Sequence, residues 1–127
     1  RDVSEWEYVE SLSDEFNVND VDLNKWNNDP GSWGPWSWDK KNVSLKEGNL
    51  EIALTYDKHQ AIRRAYKTNG EKVSTELFYK SGIIRSHGSQ VYGYYEARIK
   101  GTALQQGASP IFSIYSNFDH NVESGTV

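Results

Sequence analysis

Glu5, Glu7 and Glu10 form the acidic cluster whose spacing comes nearest to catalytic use. On a strand, carboxylates at i and i+2 share a face roughly 6.6 Å apart. Carboxyl pairs that split a glycosidic bond stand about 5–5.5 Å apart when one attacks, and about 6.5–9.5 Å apart when water does. The cluster lies at the start of the chain, where chains fray, so a solvated acidic face is the stronger reading. Glu96 stands two residues before Arg98 and reads as half of an ion pair. Asp119, His120 and Glu123 occupy a loop with no partner signal.

Nucleophiles and metals fare no better. Serines are plentiful, yet no Gly-x-Ser-x-Gly elbow occurs. His59, His87 and His120 lack metal-ligand spacing. The stretch Asn17-Val18-Asn19-Asp20-Val21-Asp22 mimics the start of a calcium loop but lacks its glycine and distal glutamate. The sequon Asn42-Val43-Ser44 matters only in a host that glycosylates.

Aromatic residues in polar company remain. Trp33, Trp36 and Trp38 fall in a Gly- and Pro-containing loop. In an extended segment Trp36 and Trp38 share a face. A core role for all three sits badly with so polar a loop, so stacking on a flat ligand is the expected role for at least one. Arg85 and His87 share a strand face beside Ile83. They read equally well as an anion site, with charge-assisted bonds to a carboxylate or sulfate, and as an ordinary exposed face.

The elements that must position these residues are strands. Val43 and Leu45 alternate with polar residues, Glu47-Gly48 supplies a hairpin turn, and Leu50, Ile52, Leu54 and Tyr56 continue with period two. Ala61–Tyr66, Phe78–His87 and Val91–Lys100 read as further strands. Pro110–Tyr115 is apolar on both faces, as a central strand would be. Ser13–Trp38 reads as a long loop, and long loops in compact domains tend to be functional. No window carries a helical stripe. The class is all-β, a sandwich or barrel.

Composition narrows the function. The chain has 127 residues, with 14 Lys+Arg against 18 Asp+Glu, and is 13% aromatic but only 36% hydrophobic. It has no large basic surface, which argues against a nucleic-acid partner. With no Cys, disulfides, thiolate zinc and a cysteine nucleophile are excluded. No apolar run reaches the roughly 18 residues of a membrane span. The chain opens at Arg1 with neither Met nor an apolar segment, so removal of a leader or tag is expected. It closes on a turn that leads toward another strand, so an incomplete folding unit is expected.

Four stretches, in order, resemble glycoside hydrolase family 16. They are Ser13-Asp14-Glu15-Phe16 with Asp22 to Lys25-Trp26; Asn42-Val43-Ser44 through Gly48-Asn49-Leu50-Glu51-Ile52; Ser81-Gly82-Ile83-Ile84-Arg85-Ser86; and Val91-Tyr92-Gly93-Tyr94-Tyr95-Glu96-Ala97-Arg98-Ile99-Lys100. Trp36-Ser37-Trp38-Asp39 and Tyr79-Lys80-Ser81-Gly82-Ile83 look most like its marine galactanase branch, the β-porphyranases, κ-carrageenases and β-agarases.

The resemblance implies a β-jelly-roll sandwich with an open substrate cleft, of which residues 1–127 form the N-terminal portion and 1–12 a lead-in. It implies a retaining endo-hydrolase of a sulfated red-algal galactan, porphyran-like, with Trp36 and Trp38 lining the cleft. The family's Glu-x-Asp-x-x-Glu motif is absent from these residues, so the catalytic carboxylates are expected after Val127 or on a second chain that completes the fold. Ser113 stands where many relatives carry Trp, and the space gained would take a sulfate, with Arg63, Arg64, Arg85 and His87 as its candidate partners. No cofactor is expected for catalysis. A structural calcium is compatible with the resemblance but has no assigned ligands. Export to the periplasm or medium follows from so large a substrate, and neither nucleic acid nor membrane is an expected partner. The competing readings are a non-catalytic carbohydrate-binding jelly roll and an inactive fragment.

Overall fold

The computed structural model describes residues 5–32, 35–64, 71–103 and 107–115, without the side chains of Arg63 and Arg64. The chain divides into two compact units, Arg1–Tyr92 and Gly93–Val127. Among the described residues every strand lies in the first, and the remaining regular elements are two single-turn 3-10 helices, Glu10–Leu12 and Lys40–Asn42. The all-β expectation holds.

Six strands pair as three antiparallel ladders: β1 (Trp26–Asn27) with β6 (Arg85–Ser86), β2 (Val43–Lys46) with β3 (Asn49–Ile52), and β4 (Thr55–Arg64) with β5 (Lys72–Lys80). The β2–β3 turn is the one expected. Glu47 and Gly48 both take positive φ, at 52° and 75°, which two-residue hairpin turns require to match the twist of their strands. The run from Leu50 to Tyr56 is not one strand, however. It breaks after Ile52: the Ala53 N–H still donates to the Asn42 carbonyl at 2.8 Å, but the Asn42 N–H turns away to the Asp39 carbonyl at 2.9 Å and the ladder ends there.

Asn42 is the buried joint of this unit, 3% exposed. Its Nδ2 donates to Thr55 Oγ1 at 3.0 Å, to the Lys80 carbonyl at 3.0 Å and, more weakly, to the Ser81 carbonyl at 3.4 Å. It therefore ties the end of the Lys40–Asn42 helix to the start of β4 and the end of β5. The sequon at Asn42 is consequently closed to glycosylation in the folded chain. Val43 and Ala61 are the buried apolar side chains among the described residues.

Gly82 packs directly on this joint. A Cβ there would stand 2.8 Å from the Asn42 carbonyl oxygen and 2.8 Å from Val43 Cγ2. Backbone cannot yield as a flexible side-chain tip can, so Gly82→Ala should cost about 1–3 kcal/mol through overpacking. Urea unfolding is the measurement, with a lower midpoint at unchanged slope expected. An unaltered midpoint would mean that the contact relaxes freely.

Three strand expectations need correction. Phe78–His87 is interrupted, since the ladder stops at Lys80 and resumes only at Arg85–Ser86. Val91–Lys100 carries the alternation of a strand and Pro110–Tyr115 the apolar run of a central one, yet no strand forms in either. Alternation proposes a strand, but only a partner backbone completes one. Val91 and Tyr92 are 85% and 87% exposed, and among the described residues no ladder reaches them.

In the second unit, Gly107 turns the chain at φ +84°. Pro110 lies 3.4 Å from where a Gly101 Cβ would stand. Glu96 accepts a 3.0 Å bond from the Tyr94 hydroxyl, the same-face contact that alternation anticipates. That bond takes the place of the expected Arg98 pair, which is absent among the described residues.

Candidate functional site

The opening residues build a clasp. Asp14 accepts the Phe16 N–H through Oδ1 at 2.8 Å and the Trp26 indole N–H through Oδ2 at 2.9 Å. The Phe16 and Trp26 rings lie 6.1 Å apart at 35°. Lys25 Nζ donates to Glu10 Oε1 at 2.8 Å and to the Ser13 carbonyl at 2.9 Å. The hydrogen bond to Glu10 holds the Lys25 ammonium above its ordinary pKa. Glu10 is thus half of an ion pair, while Glu5 and Glu7 remain exposed.

Across the clasp runs the stretch that holds Arg85 and His87. β1 pairs Trp26 with Ser86 and Asn27 with Arg85. The His87 N–H donates to the Lys25 carbonyl at 3.0 Å, and its Nε2 donates to the Leu23 carbonyl, also at 3.0 Å. One ring nitrogen of His87 is therefore committed to fastening the opening loop; Nδ1 of the neutral ring is then an acceptor, and only a ring carrying a second proton offers an anion a hydrogen bond.

The tryptophans sit at the other end of the same stretch. Trp38 forms a parallel bridge with Ser81, through Ser81 N–H to the Ser37 carbonyl and Asp39 N–H to the Ser81 carbonyl, both 2.9 Å. Trp36 is 50% exposed, Ser37 only 7%, and Trp38 half-buried. Side chains alternate along an extended segment, so with Ser37 turned inward Trp36 faces outward, while Trp38 is only partly open and its indole Nε1 is buried. Asp39 then caps the Lys40–Asn42 helix by accepting the Lys41 N–H at 3.0 Å. That backbone hydrogen bond is the main reason its carboxyl lies below the usual range.

Behind Ser37 stands a residue that the sequence did not single out for a role. His59 Nε2 lies 2.8 Å from Ser37 Oγ, and its Nδ1 lies 2.6 Å from the Asp57 carbonyl. A carbonyl can only accept, so Nδ1 carries the proton and Nε2 accepts the Ser37 hydroxyl hydrogen. Asp57 Oδ1 is 3.9 Å from Nδ1, and its Oδ2 is 3.5 Å from Lys80 Nζ. The order of groups mimics a nucleophile and its base. Burial of Ser37 and the carbonyl partner at Nδ1 make it a structural clamp instead. Twenty-two residues separate Ser37 from His59, and no local pattern links them.

Of the residues singled out from sequence, Trp36, Trp38, Arg85 and His87 are tied to the two ends of Ser81–His87. Arg63 and Arg64 end β4, and what their side chains do lies outside the described residues. So do Trp33, Asp119, His120 and Glu123. Ser113 is exposed in the second unit. No group of three or more metal-ligating side chains occurs among the described residues.

Comparison with known proteins adds the wider frame. Residues 6–118 match the family described as "Beta-porphyranase A-D, GH16 domain". The κ-carrageenase of Pseudoalteromonas carrageenovora is 36% identical over 117 residues, which cover 92% of this chain and 29% of that protein. β-Porphyranase B of Zobellia galactanivorans is 29% identical over 101 residues, covering 76% and 31%. The crystal structure of the P. carrageenovora κ-carrageenase in complex with an oligotetrasaccharide of κ-carrageenan superposes with a TM-score of 0.54 and 33% identity. That superposition covers 61% of this chain and 28% of the enzyme. The expected jelly-roll kinship holds, and the chain spans about three-tenths of the length of the curated relatives it matches.

Proposed function

This chain belongs to glycoside hydrolase family 16, and from that premise we propose that it is the substrate-binding portion of a hydrolase of sulfated galactan. The reading is a retaining, endo-acting enzyme with a porphyran-like substrate. The observation that carries it is the outward-facing Trp36 ring on a clamped segment, within residues 6–118, which match a porphyranase family. A flat aromatic face takes the apolar face of a sugar ring, while polar neighbours bond its hydroxyls. Since no Glu-x-Asp-x-x-Glu stretch occurs in these residues, they are assigned binding and not bond cleavage. κ-Carrageenan is the second reading, favoured by the 36% identity to a κ-carrageenase.

The test uses the full-length protein that carries this segment, incubated with porphyran, κ-carrageenan and neutral agarose. Reducing ends report cleavage, and NMR of the first-formed anomer reports stereochemistry. Cleavage of porphyran with retention is expected. Preference for agarose would overturn the sulfated-substrate reading, and an inverted product would overturn the mechanism.

In this reading Ser113 leaves room for a sulfate on the sugar. Ser113→Trp should then reduce kcat/KM on the sulfated polymer by about tenfold, the rate equivalent of roughly 1.4 kcal/mol, and spare neutral agarose. Unchanged cleavage of the sulfated polymer would sink that assignment.

A further inference from the structure

We propose that His59 is the positioning residue of the tryptophan platform, and that it sets Trp36 and Trp38 for sugar stacking through the Ser37 hydroxyl. The inference rests on the galactan-binding reading above and deepens it.

The argument begins with an irregularity in β4. Tyr56 pairs with Tyr79 and His59 with Leu77, so three steps along β4 answer two along β5. The additional residue is a β-bulge, and bulges re-aim side chains. Under strict alternation Tyr56 and His59 would point to opposite faces. The bulge turns His59 onto the face of its paired residue Leu77, which Tyr79 and Tyr56 share. There it meets Ser37. Without that extra residue Lys58 would occupy the place.

His59 then works as a strut with two defined ends. Nδ1–H is anchored on the Asp57 carbonyl of its own bulge, at 2.6 Å, and Nε2 receives the Ser37 hydroxyl at 2.8 Å. The Ser37 backbone is held independently by Ser81, at 2.9 Å. The backbone contact fixes where the segment runs, and the side-chain contact fixes which face of it turns inward. Since Trp36 and Trp38 flank Ser37, their orientation follows from that choice. A platform fixed before the sugar arrives avoids the cost of ordering it on binding.

The two ends of the strut can be cut separately. In His59→Asn the amide nitrogen sits near the former Nδ1 and keeps the anchor on Asp57, but the shortened side chain no longer reaches Ser37. In His59→Gln the terminal amide sits near the former Nε2 and can still accept from Ser37. The full-length protein would carry each substitution, and Ser37→Ala. His59→Asn and Ser37→Ala should raise KM for a sulfated galactan about fivefold with kcat within about twofold, a loss of binding made equally in ground and transition states. Both should also speed amide exchange at Ser81 and Asp39 by about tenfold, as local opening becomes easier. His59→Gln should stay within about twofold of the parent on both readouts.

Equal behaviour of the Asn and Gln variants, or parental values for His59→Asn, would overturn the proposal. A parent protein that binds no galactan would sink the functional reading and the platform's use with it. Amide exchange needs no ligand, so it would still decide whether His59 holds the segment.

Discussion

Asn42→Asp is expected to lower the unfolding free energy by about 3 kcal/mol, the largest effect on stability anticipated for a single atom exchange in this chain. The substitution places a carboxylate oxygen where Nδ2 now donates to Thr55 Oγ1 and to the Lys80 and Ser81 carbonyls. Carbonyl oxygens cannot answer a carboxylate. The buried site would hold a charge facing two acceptors, with only the Thr55 hydroxyl able to turn and donate. Asn42→Ala removes the same bonds without adding a charge, so it should cost less, about 1–2 kcal/mol. The sign of the pH dependence follows. Burial raises the folded-state pKa of the new carboxyl, so the deficit is full above that value and shrinks as the carboxyl is protonated in acid. Chemical denaturation of parent and variants at neutral and acidic pH is the check. Equal midpoints for Asp and Ala at neutral pH would contradict the geometry around Asn42.

Trp36→Ala should weaken binding of a sulfated galacto-oligosaccharide about 30-fold, the equivalent of about 2 kcal/mol for a buried tryptophan anchor. Half of its surface is open in the free chain, and that open face is what a sugar ring would cover. The unfolding midpoint should therefore move far less than the affinity does. Trp38 is half-buried beside its bridge to Ser81, and Trp38→Ala should lose stability and affinity together. Calorimetric titration paired with thermal unfolding separates the two. An oligosaccharide affinity indifferent to Trp36→Ala would remove the platform from the binding site.

Both expectations depend on which parts of the molecule are set locally. The β2–β3 hairpin was legible because Glu47-Gly48 carries its own turn geometry and the flanking residues alternate. The opening clasp was legible only as a motif. Its meaning, Asp14 and Lys25 fastening the loop to Trp26, Glu10 and the Ser13 carbonyl, needs contacts that spacing does not display. The strands expected at Val91–Lys100 and Pro110–Tyr115 mark the opposite case. There the alternation of the first and the apolar run of the second are present, but ladder formation depends on a partner backbone that no local pattern supplies.

By itself, then, the sequence determined the all-β class, the hairpin turn, the aromatic-rich loop and the kinship with family 16 hydrolases, since each rests on composition or on residues close together in the chain. The tertiary structure decided which of those residues act. It buried Asn42 under Gly82, spent one nitrogen of His87 on the Leu23 carbonyl, and used a bulge in β4 to bring His59 against Ser37. Such pairings join residues dozens of positions apart, and a one-residue change in register reverses the face that a side chain occupies. That is why Trp36 could be suspected from its neighbours, whereas the histidine that holds its segment could not.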